Sequence, residues 1–449
     1  MTDNDFKEKS FWLSSTDYLP GDSLQNDLKV DVAIVGGGFT GLSTAYHLKR
    51  AEPDLNVALL ESDVIGFGAS GRNGGFNMTL FGLTLSITAF RFGKSRAKEA
   101  HLYMERAVDL LRDLVDELNI DCDYEHTGFL RVATSEKYKK RLLHEIELAH
   151  KLGLTEIDWL DKSQTREQVA SPQYLGAWWE PRCGILNPAK LSWGWREIIE
   201  KQGVQIFENT PVMEIQRENR SIRLITPKGV IAADKVVLAT NAYSHMISQM
   251  KRKQIPVWTH IVLTEPLTDT HFEQIGWQNR QGIEDARNLV HYYRLTSDNR
   301  LLMGGRDVST SYGADMEKDL NEKTFAGLEN DVRDIFPPLK DIKFTHQWGG
   351  PVSVTLDMAP AMGYLGDERM IYSVGCMGHG VSLTHLNGRT LADLALERKS
   401  DLTDTFFVNR KIIPVPPEPI RNLVSRAIIG YMHMEDKLFD PKSDRNKKL

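Results

Sequence analysis

Residues 30–45, VDVAIVGGGFTGLSTA, decide the fold. The run VDVAIV is short and rich in β-branched residues, which is typical of a buried parallel strand. It leads directly into a G-x-G-x-x-G turn, formed by Gly36, Gly38 and Gly41, and then into the helix-like LSTAYHLKR. A second strand-like run, VALLE, ends in Glu61, twenty residues after Gly41. Strand, glycine turn, helix, strand and acid in this order predict a dinucleotide-binding unit.

Each residue type in this unit has a physical task. Gly36 makes the tight turn, and Gly38 lets a pyrophosphate approach the backbone N–H groups at the helix start, where the helix dipole favours anions. Gly41 lets the helix lie close to the strand, and Glu61 can accept hydrogen bonds from a ribose diol. The cofactor contacts expected from this unit are Gly36, Gly38, Phe39, Thr40, Gly41, Glu61 and Ser62.

A second glycine-rich loop, GASGRNGGFNM at residues 68–78, follows soon after Glu61. In a nicotinamide dehydrogenase this stretch would normally enter another crossover helix. A second close approach of the backbone suggests a longer cofactor, FAD, with its ring system passing Gly74 and Gly75. We expect Arg72 to face the phosphates, with Ser70 and Asn73 as hydrogen-bond donors to the cofactor. The alternative is a plain surface turn.

The C-terminal third supports FAD. Residues 370–391, MIYSVGCMGHGVSLTHLNGRTL, are typical of a strand, a glycine turn and a helix. The helix start at residues 378–381 places free N–H groups where reduced flavin carries negative charge. The strand and turn VVLATNAYS (236–244) lie between the two ends, and Val212 would present backbone groups to an adenine.

Bulk properties narrow the class of protein. The 449 residues suit two packed domains, and the net charge of −6 gives no reason to expect a nucleic-acid partner. Three widely separated cysteines form neither a disulfide framework nor a zinc pattern, so we expect no metal and a reducing compartment. Neither a secretory signal nor a membrane-spanning segment is expected, and the predicted localisation is cytoplasmic.

The motifs together resemble the FAD-dependent amine and amino acid oxidoreductases related to D-amino acid oxidase, glycine oxidase and sarcosine oxidase. They run from VDVAIVGGGFTGLSTA through LLESDVIGFGASGRNGG and ATNAYS to GCMGHGVSLTHLNGR. GASGRNGG looks most like the gamma-glutamylputrescine oxidase branch, whose substrates are amines. The further FAD contacts that the resemblance implies are Ser70, Arg72, Asn73, Gly74, Gly75, Val212, Ala239, Thr240, Gly378, His379, Gly380 and Val381.

Two departures from the family pattern bear on chemistry. Glycine and D-amino acid oxidases carry an arginine after the W-x-G turn that clamps the substrate carboxylate, and alignment on Trp348 and Asp357 puts Val352 there. Either another base, Arg294 or Arg306, holds an acid, or the reacting carbon carries no carboxylate. Sarcosine oxidases carry a cysteine in the same segment that bonds the flavin. HQWGGPVSVTLD has none, so we expect non-covalent FAD.

The expected reaction is oxidation of an amine by hydride transfer to flavin N5. The resulting imine hydrolyses to an aldehyde or ketone. The alternative in the same fold is an α-amino acid oxidase or dehydrogenase of the glycine, sarcosine or D-amino acid type with another carboxylate anchor; a non-catalytic flavin sensor is a rival from a different class. The candidate catalytic residues are His260, Trp348, His379 and Arg294, each of which could instead be structural. The electron acceptor, O2 or another, and the oligomeric state stay open.

The predicted architecture is α/β. A Rossmann-like FAD-binding domain is expected from residues 1–90, 165–250 and 345–400. A second, α+β substrate domain on a mostly antiparallel sheet is expected from residues 91–164 and 251–344. Residues 401–449 form a C-terminal extension whose last helix, after the polyproline-like PVPPEP, is expected to pack on the body. The active site is expected between the two domains.

Overall fold

The computed structural model describes residues 5–310, 312–313 and 315–439. Its α-helices within these residues are α1 Phe11–Ser14, α2 Phe39–Ala51, α3 Leu85–Phe92, α4 Lys94–Glu117, α5 Glu136–Lys151, α6 Lys162–Gln168, α7 Pro188–Lys201, α8 Asp269–Ile275, α9 Glu322–Ile335, α10 Gly380–Ala395 and α11 Ile420–Phe439. Its strands are β1 Leu28–Val35, β2 Val57–Leu60, β3 Phe76–Asn77, β4 Phe129–Val132, β5 Asp158–Asp161, β6 Gly176–Glu180, β7 Gly184–Ile185, β8 Gln205–Phe207, β9 Glu214–Arg217, β10 Ile222–Ile225, β11 Val230–Leu238, β12 Ile255–Pro266, β13 Gly282–Asp285, β14 His291–Leu295, β15 Arg300–Thr310, β16 Phe344–Val354, β17 Ala361–Tyr364 and β18 Met370–Val374.

The first sheet has the order β17-β18-β11-β1-β2-β8, with β9 and β10 as an antiparallel hairpin on β11. β1 lies parallel to both β11 and β2. Val32 and Ile34 of β1 pack into the core that contains α2, α4, α7 and α10, whereas Ala33 and Val35 pack into a core on the other face. Burial on both faces explains why VDVAIV is continuously apolar apart from Asp31.

The second sheet has the order β16-β12-β15-β14-β13-β4-β6-β5 and is antiparallel except for the β4–β13 pair. Alternate residues face opposite sides. Leu130, Ile283 and Tyr293 pack with α9 in a separate core. Their neighbours Arg131, Glu284 and Tyr292 project to the opposite side and form a roof over a cavity between the two sheets. The predicted fold class is confirmed.

Three elements pack with the other layer than the predicted domain ranges indicated. Helix α4 was expected in the substrate domain, but its apolar face packs on α10 in the core of the first sheet. Strands β6 and β16 were expected in the FAD domain, but both pair in the second sheet. An apolar face shows that a segment is buried on one side but not which layer covers it, and this is the physical reason for all three differences.

The C-terminal extension ends in α11, which follows PVPPEP and packs across β15 at the edge of the cavity. Residues 440–449 of the predicted extension lie outside the described residues. None of the helices in the described chain is long and apolar enough to cross a bilayer.

Candidate active site

The glycine turn after β1 is packed too tightly for any other residue. Gly36 has φ of +114°, and a Cβ there would lie 2.6 Å from the carbonyl oxygen of Ala239. A Cβ on Gly41 would lie 2.0 Å from the carbonyl oxygen of Gly36. Gly38 caps α2 without a side chain, so the helix start is open toward the cavity. The turn therefore brings the helix dipole and free N–H groups to the place predicted for a pyrophosphate.

Glu61 follows β2 directly, beside this turn. Its carboxylate accepts hydrogen bonds from the backbone N–H of Gly37 at 2.7 Å, from Asp63 at 3.0 Å and from the Ser62 hydroxyl at 3.0 Å. Burial raises the pKa of Glu61, and these backbone donors oppose the shift. Ribose hydroxyl donors would stabilise the carboxylate further, which fits the predicted role.

The second glycine loop is held by its own polar side chains. The Ser70 hydroxyl accepts from the backbone N–H of Phe39 at 2.9 Å, so it joins the loop to the start of α2. Asn73 donates to the carbonyls of Ala69 and Ser70 at 3.0 Å and accepts from the Gly75 N–H at 2.7 Å. Ser70 and Asn73 thus fix the loop conformation in addition to lining the cavity.

Arg72 differs from its predicted role at the phosphates. The side chain is buried, donates from Nε to the carbonyl of Phe67 at 2.8 Å and forms an ion pair with Asp319 at 2.8 Å. Lys9 pairs with the same carboxylate at 2.6 Å. Arg72 therefore joins the glycine loop to the segment before α9. The Phe67 carbonyl and the Asp319 carboxylate accept the N–H groups that the sequence suggested for phosphate.

Gly74 and Gly75 are packed closely against other parts of the protein. A Cβ on Gly75 would lie 2.1 Å from the carbonyl oxygen of Leu186 and 2.6 Å from Nη1 of Arg294. A Cβ on Gly74 would lie 2.8 Å from the ring of Phe76. Both glycines also line the cavity. The loop is therefore glycine-rich partly because it fits between the two domains.

The start of α10 also lines the cavity. Gly378 has φ of +88°, and the imidazole of His379, the capping residue, lies at the cavity wall. Burial and the charge of Arg131 lower the pKa of His379 to about 4, so the ring is neutral at pH 7. The helix start presents N–H groups and a neutral ring where the pyrimidine end of a flavin was predicted.

These segments enclose one continuous cavity of about 1700 Å³. This volume exceeds the range of roughly 300–1000 Å³ typical for one drug-sized ligand, so a long cofactor and a substrate fit together. Every predicted cofactor residue lines it except Gly41, which lies beneath the turn. The members that line it are Gly36, Gly38, Phe39, Thr40, Glu61, Ser62, Ser70, Arg72, Asn73, Gly74, Gly75, Val212, Ala239, Thr240, Gly378, His379, Gly380 and Val381.

Comparison with known families decides the identity of the cofactor. The profile of DAO, described as an FAD dependent oxidoreductase family, matches residues 31–394. The chain belongs to the DAO family. It is an FAD-dependent oxidoreductase, and the predictions of family, enzyme class and non-covalent FAD are confirmed.

Relatives of this DAO family member span nearly the whole chain. It is 34% identical over 428 residues to gamma-glutamylputrescine oxidoreductase of Escherichia coli strain K12, covering 95% of this chain and 97% of the relative. It is 25% identical to sarcosine oxidase subunit beta of Rhodobacter capsulatus, covering 85% and 88%. The fold is that of glycine oxidase from Geobacillus kaustophilus, with a TM-score of 0.72, 21% identity and coverage of 86% and 100%. L-proline dehydrogenase from P. horikoshii has a TM-score of 0.69, 22% identity and coverage of 84% and 96%.

Three of the four candidate catalytic residues lie outside the FAD and substrate cavity. Arg294 is fully buried behind the glycine loop, where it donates to the carbonyls of Leu186 at 2.6 Å and Gly75 at 3.2 Å. The indole of Trp348 donates to the Arg72 carbonyl at 2.9 Å, and His260 contacts the Lys318 carbonyl at 3.0 Å. A residue must touch substrate or cofactor to act in the reaction, so of the four we retain only His379.

The cavity also contains charged residues that the sequence did not single out. Arg131 on β4 and Glu284 on β13 lie side by side on its roof, next to Tyr292 of β14. Glu145 of α5 lines the same region. A charged residue inside an otherwise apolar strand, as in GFLRVA, is the signal that could have identified Arg131. The strand of Glu284, GIED, carries two adjacent acids and gives no comparable signal.

Proposed function

We propose that this enzyme oxidises an amine whose reacting carbon carries no carboxylate. The observation that carries the proposal is an apolar wall in the cavity. Val352 of β16 occupies the position at which the family resemblance implied an arginine, and it pairs with Val257 of β12. Val354 and Ile255 extend the same wall. A carboxylate beside these side chains would lose hydration without a compensating charge.

The alternative is an α-amino acid substrate whose carboxylate is held by Arg294 or Arg306. Neither arginine is free for that role. Arg294 lies behind the loop, as described above. Arg306 lines the cavity, but it forms ion pairs with Asp331 and, at 3.5 Å, with Asp307. Its charge is therefore compensated within the protein. Gamma-glutamylputrescine oxidoreductase, the relative with 34% identity, is named for an amine, and we extend that substrate class to this chain.

The protein's own groups prepare the amine and the cofactor for reaction. Bound FAD supplies the hydride acceptor. The apolar wall disfavours a charged ammonium and so favours the neutral amine that the reaction needs. The start of α10 would hold the pyrimidine end of the flavin, and its positive dipole end would stabilise the negative charge of the reduced cofactor. The roof strands exclude water and orient the Cα–H bond, which contributes to rate through positioning.

We infer that the enzyme works in the cytoplasm. Cys122, Cys183 and Cys376 are all free thiols, and the first two are buried. Burial also raises the pKa of Cys376, which keeps this cavity-lining thiol protonated. Free cysteines without disulfides suit a reducing compartment. The electron acceptor, O2 or another oxidant, is decided by the experiment below.

The test is anaerobic reduction of the bound flavin by two panels of compounds. The amine panel contains putrescine and N-acyl putrescines; the amino acid panel contains glycine, sarcosine, D-alanine and L-proline. We expect the amine panel to bleach the flavin absorbance faster, and subsequent exposure to air to report whether O2 is the acceptor. Faster bleaching by the amino acids would overturn the proposal. The variant Val352→Arg is expected to slow bleaching by amines, because it places a charge in the apolar wall.

A further inference from the structure

Helix α11 is apolar on the side that points to solvent. The residues at helical spacing along this outer side are all exposed, and none of them is charged. They are Ile420, Leu423, Ala427, Gly430, Tyr431, Met434 and Leu438. Leu423 and Leu438 are 71% and 67% exposed. A surface helix in water ordinarily carries polar and charged residues on its outer side, so this stripe indicates a covering partner.

Helices α3 and α5 continue this surface. The backbone N–H of Ser86 in α3 donates to the carboxylate of Glu145 in α5 at 3.0 Å. Arg141 of α5 forms an ion pair with Glu435 of α11 at 3.5 Å. On α3, the ring of Phe90 is 91% exposed. The three helices are therefore contiguous, and their outer sides form one surface, the α3–α5–α11 face.

Exposed basic residues accompany the apolar ones on this face. Arg91 lies near the end of α3 and Lys94 at the start of α4, which follows it directly. Lys140 is exposed on α5 and Arg426 on α11. The whole chain has a net charge of −6, so this basic character is local. The face therefore attracts an anionic partner.

The acidic residues of the same three helices contribute little charge to the face. Glu145 is buried beneath α3, and Glu435 is paired with α5. Glu147 is paired within α5 at 2.5 Å. Glu136 is exposed at the start of α5, and the basic residues of the face outnumber it. The charge that a partner meets is positive.

The cavity opens on this face. Ile87 of α3, His144 of α5 and Tyr431 of α11 line the cavity and are also exposed to solvent. A residue that is both exposed and part of the cavity wall lies at an opening. A partner bound to the α3–α5–α11 face is therefore beside an entrance to the flavin site.

We propose that the α3–α5–α11 face docks on the surface of an anionic bilayer. Phe90 and the outer stripe of α11 insert at the level of the lipid headgroups, and the basic residues contact the lipid phosphates. The cytoplasmic leaflet carries such lipids, in agreement with the compartment inferred above. The inference goes beyond the proposed function and does not depend on which amine is oxidised.

The shape and charge of the face favour a bilayer over a protein. The inner side of α11 is packed on the enzyme, so a protein groove cannot enclose the helix, whereas a flat bilayer contacts only its outer side. The stripe extends along some twenty helical residues, about 30 Å, which suits a helix lying in the plane of the interface. A second copy of the chain would bring like basic charges together.

The test is co-sedimentation of the FAD-loaded enzyme with lipid vesicles. Vesicles of phosphatidylcholine alone are compared with vesicles that also contain phosphatidylglycerol, at low and at high salt. We expect the enzyme to bind the mixed vesicles at low salt. High salt should weaken this binding because it screens exposed charges, and phosphatidylcholine alone should bind the enzyme far less.

Variants of the face separate its apolar and its basic contributions. Phe90→Ser and Leu423→Ser each remove an exposed apolar side chain and should lower the vesicle partition coefficient about 10-fold. The double variant Arg91→Ser, Lys94→Ser should lower it about 25-fold, because each basic residue near an anionic surface contributes about 5-fold. All of these residues are exposed, so the variants should keep the flavin absorbance and the rate of flavin reduction by soluble amines.

The matched controls lie on other parts of the surface. Leu19 is 83% exposed, and its carbonyl accepts a hydrogen bond from Arg196 of α7. Arg220 is exposed in the turn between β9 and β10. Leu19→Ser and Arg220→Ser should bind the mixed vesicles as wild type does.

Two results with vesicles would overturn the inference. One is the absence of binding to the phosphatidylglycerol vesicles, and the other is binding that the variants of the face leave unchanged. Sedimentation equilibrium without lipid adds a third: a dimer that Leu423→Ser dissociates would assign the face to a second copy of the chain. The binding assay needs no substrate, so its outcome is independent of the proposed amine oxidation.

Discussion

At the glycine turn, the backbone of neighbouring segments lies so close that single residues have no room for a side chain. Gly41 lies against the carbonyl of Gly36, and Gly36 lies against Ala239 at the end of β11. Three segments of the chain thus meet at van der Waals contact around the start of α2. A methyl group at Gly41 must displace backbone, because the atom that it would overlap is the carbonyl oxygen of Gly36.

Gly41→Ala is therefore expected to abolish FAD binding. The new Cβ would push α2 away from β1 and displace the N–H groups that face the pyrophosphate. The purified variant should be colourless and should not regain flavin absorbance when FAD is added. Gly430→Ala is the matched control, because a Cβ there meets nothing within 4 Å and alanine favours the helix. A yellow Gly41→Ala protein would contradict this account of the turn.

Arg294 shows that a buried charge can serve structure alone. We expect Arg294→Met to lower the free energy of unfolding by about 2–4 kcal/mol, because the carbonyls of Leu186, Gly75 and Leu295 lose a donor. Urea denaturation measures the change, and Arg223→Met serves as the surface control. A variant of normal stability with a slowed flavin reduction would instead support the catalytic role that the sequence suggested.

At the scale of elements, the helices over the first sheet pack backbone to backbone. A Cβ on Gly388 of α10 would lie 2.5 Å from Ser43 of α2, whose hydroxyl donates to the His385 carbonyl at 2.7 Å. The His385 ring accepts from the Trp195 indole of α7 at 3.0 Å and contacts the Val381 carbonyl at 2.5 Å. One neutral imidazole therefore joins α7 to α10.

This arrangement predicts loss of stability in mild acid. Burial lowers the pKa of His385 to about 4, below its ordinary value of 6.5. Between these values the unfolded chain binds a proton that the folded chain does not, so stability falls as pH falls from 6.5 toward 4. The slope contributed by one such histidine is at most about 1.4 kcal/mol per pH unit.

The measurement is the free energy of unfolding from urea titrations at several pH values. His385→Gln should give a shallower loss over this range than wild type. His126→Gln, at an exposed position, should leave the slope unchanged. An identical slope in His385→Gln and wild type would show that this histidine does not couple folding to protonation.

At the scale of the whole molecule, α11 closes the side of the cavity between the two sheets. Ser425, Ile429 and Met432 line the cavity. Asp436 anchors the end of the helix by accepting from the Tyr138 hydroxyl at 2.8 Å and from the backbone N–H of Leu289 at 2.9 Å. The C-terminal extension thus forms part of the cavity wall.

Asp436→Ala is expected to loosen this wall. Each hydrogen bond to the Asp436 carboxylate is worth about 1.5–3 kcal/mol, so its loss makes local unfolding of α11 more frequent. We expect proteolysis within α11 to become about 100-fold faster, whereas the FAD absorbance is kept. Limited proteolysis followed by mass spectrometry measures the cleavage rate. Arg426→Ala, at an exposed position on the same helix, is the control. Equal cleavage of both variants would show that Asp436 does not hold α11.

The sequence alone determined the family, the FAD cofactor and the general architecture. Strand, glycine turn and helix are contiguous, so the dinucleotide-binding unit can be recognised in some thirty residues. Gly36 and Glu61 of this unit line the cavity, as does Gly378 of the later glycine turn. Local steric demands produce these signals, because only glycine suits such turns.

Only the tertiary structure decided which side chains face the cavity. Arg131 and Glu284 lie 153 residues apart and meet through strand register, whereas Trp348 and Arg294 point away from the cavity. The face that a strand residue occupies depends on pairing with distant segments, and a shift of one residue would reverse it. The partner of Arg72, Asp319, lies 247 residues away in sequence. Such contacts leave no local pattern, and for this reason the candidate substrate site emerged only from the packed sheets.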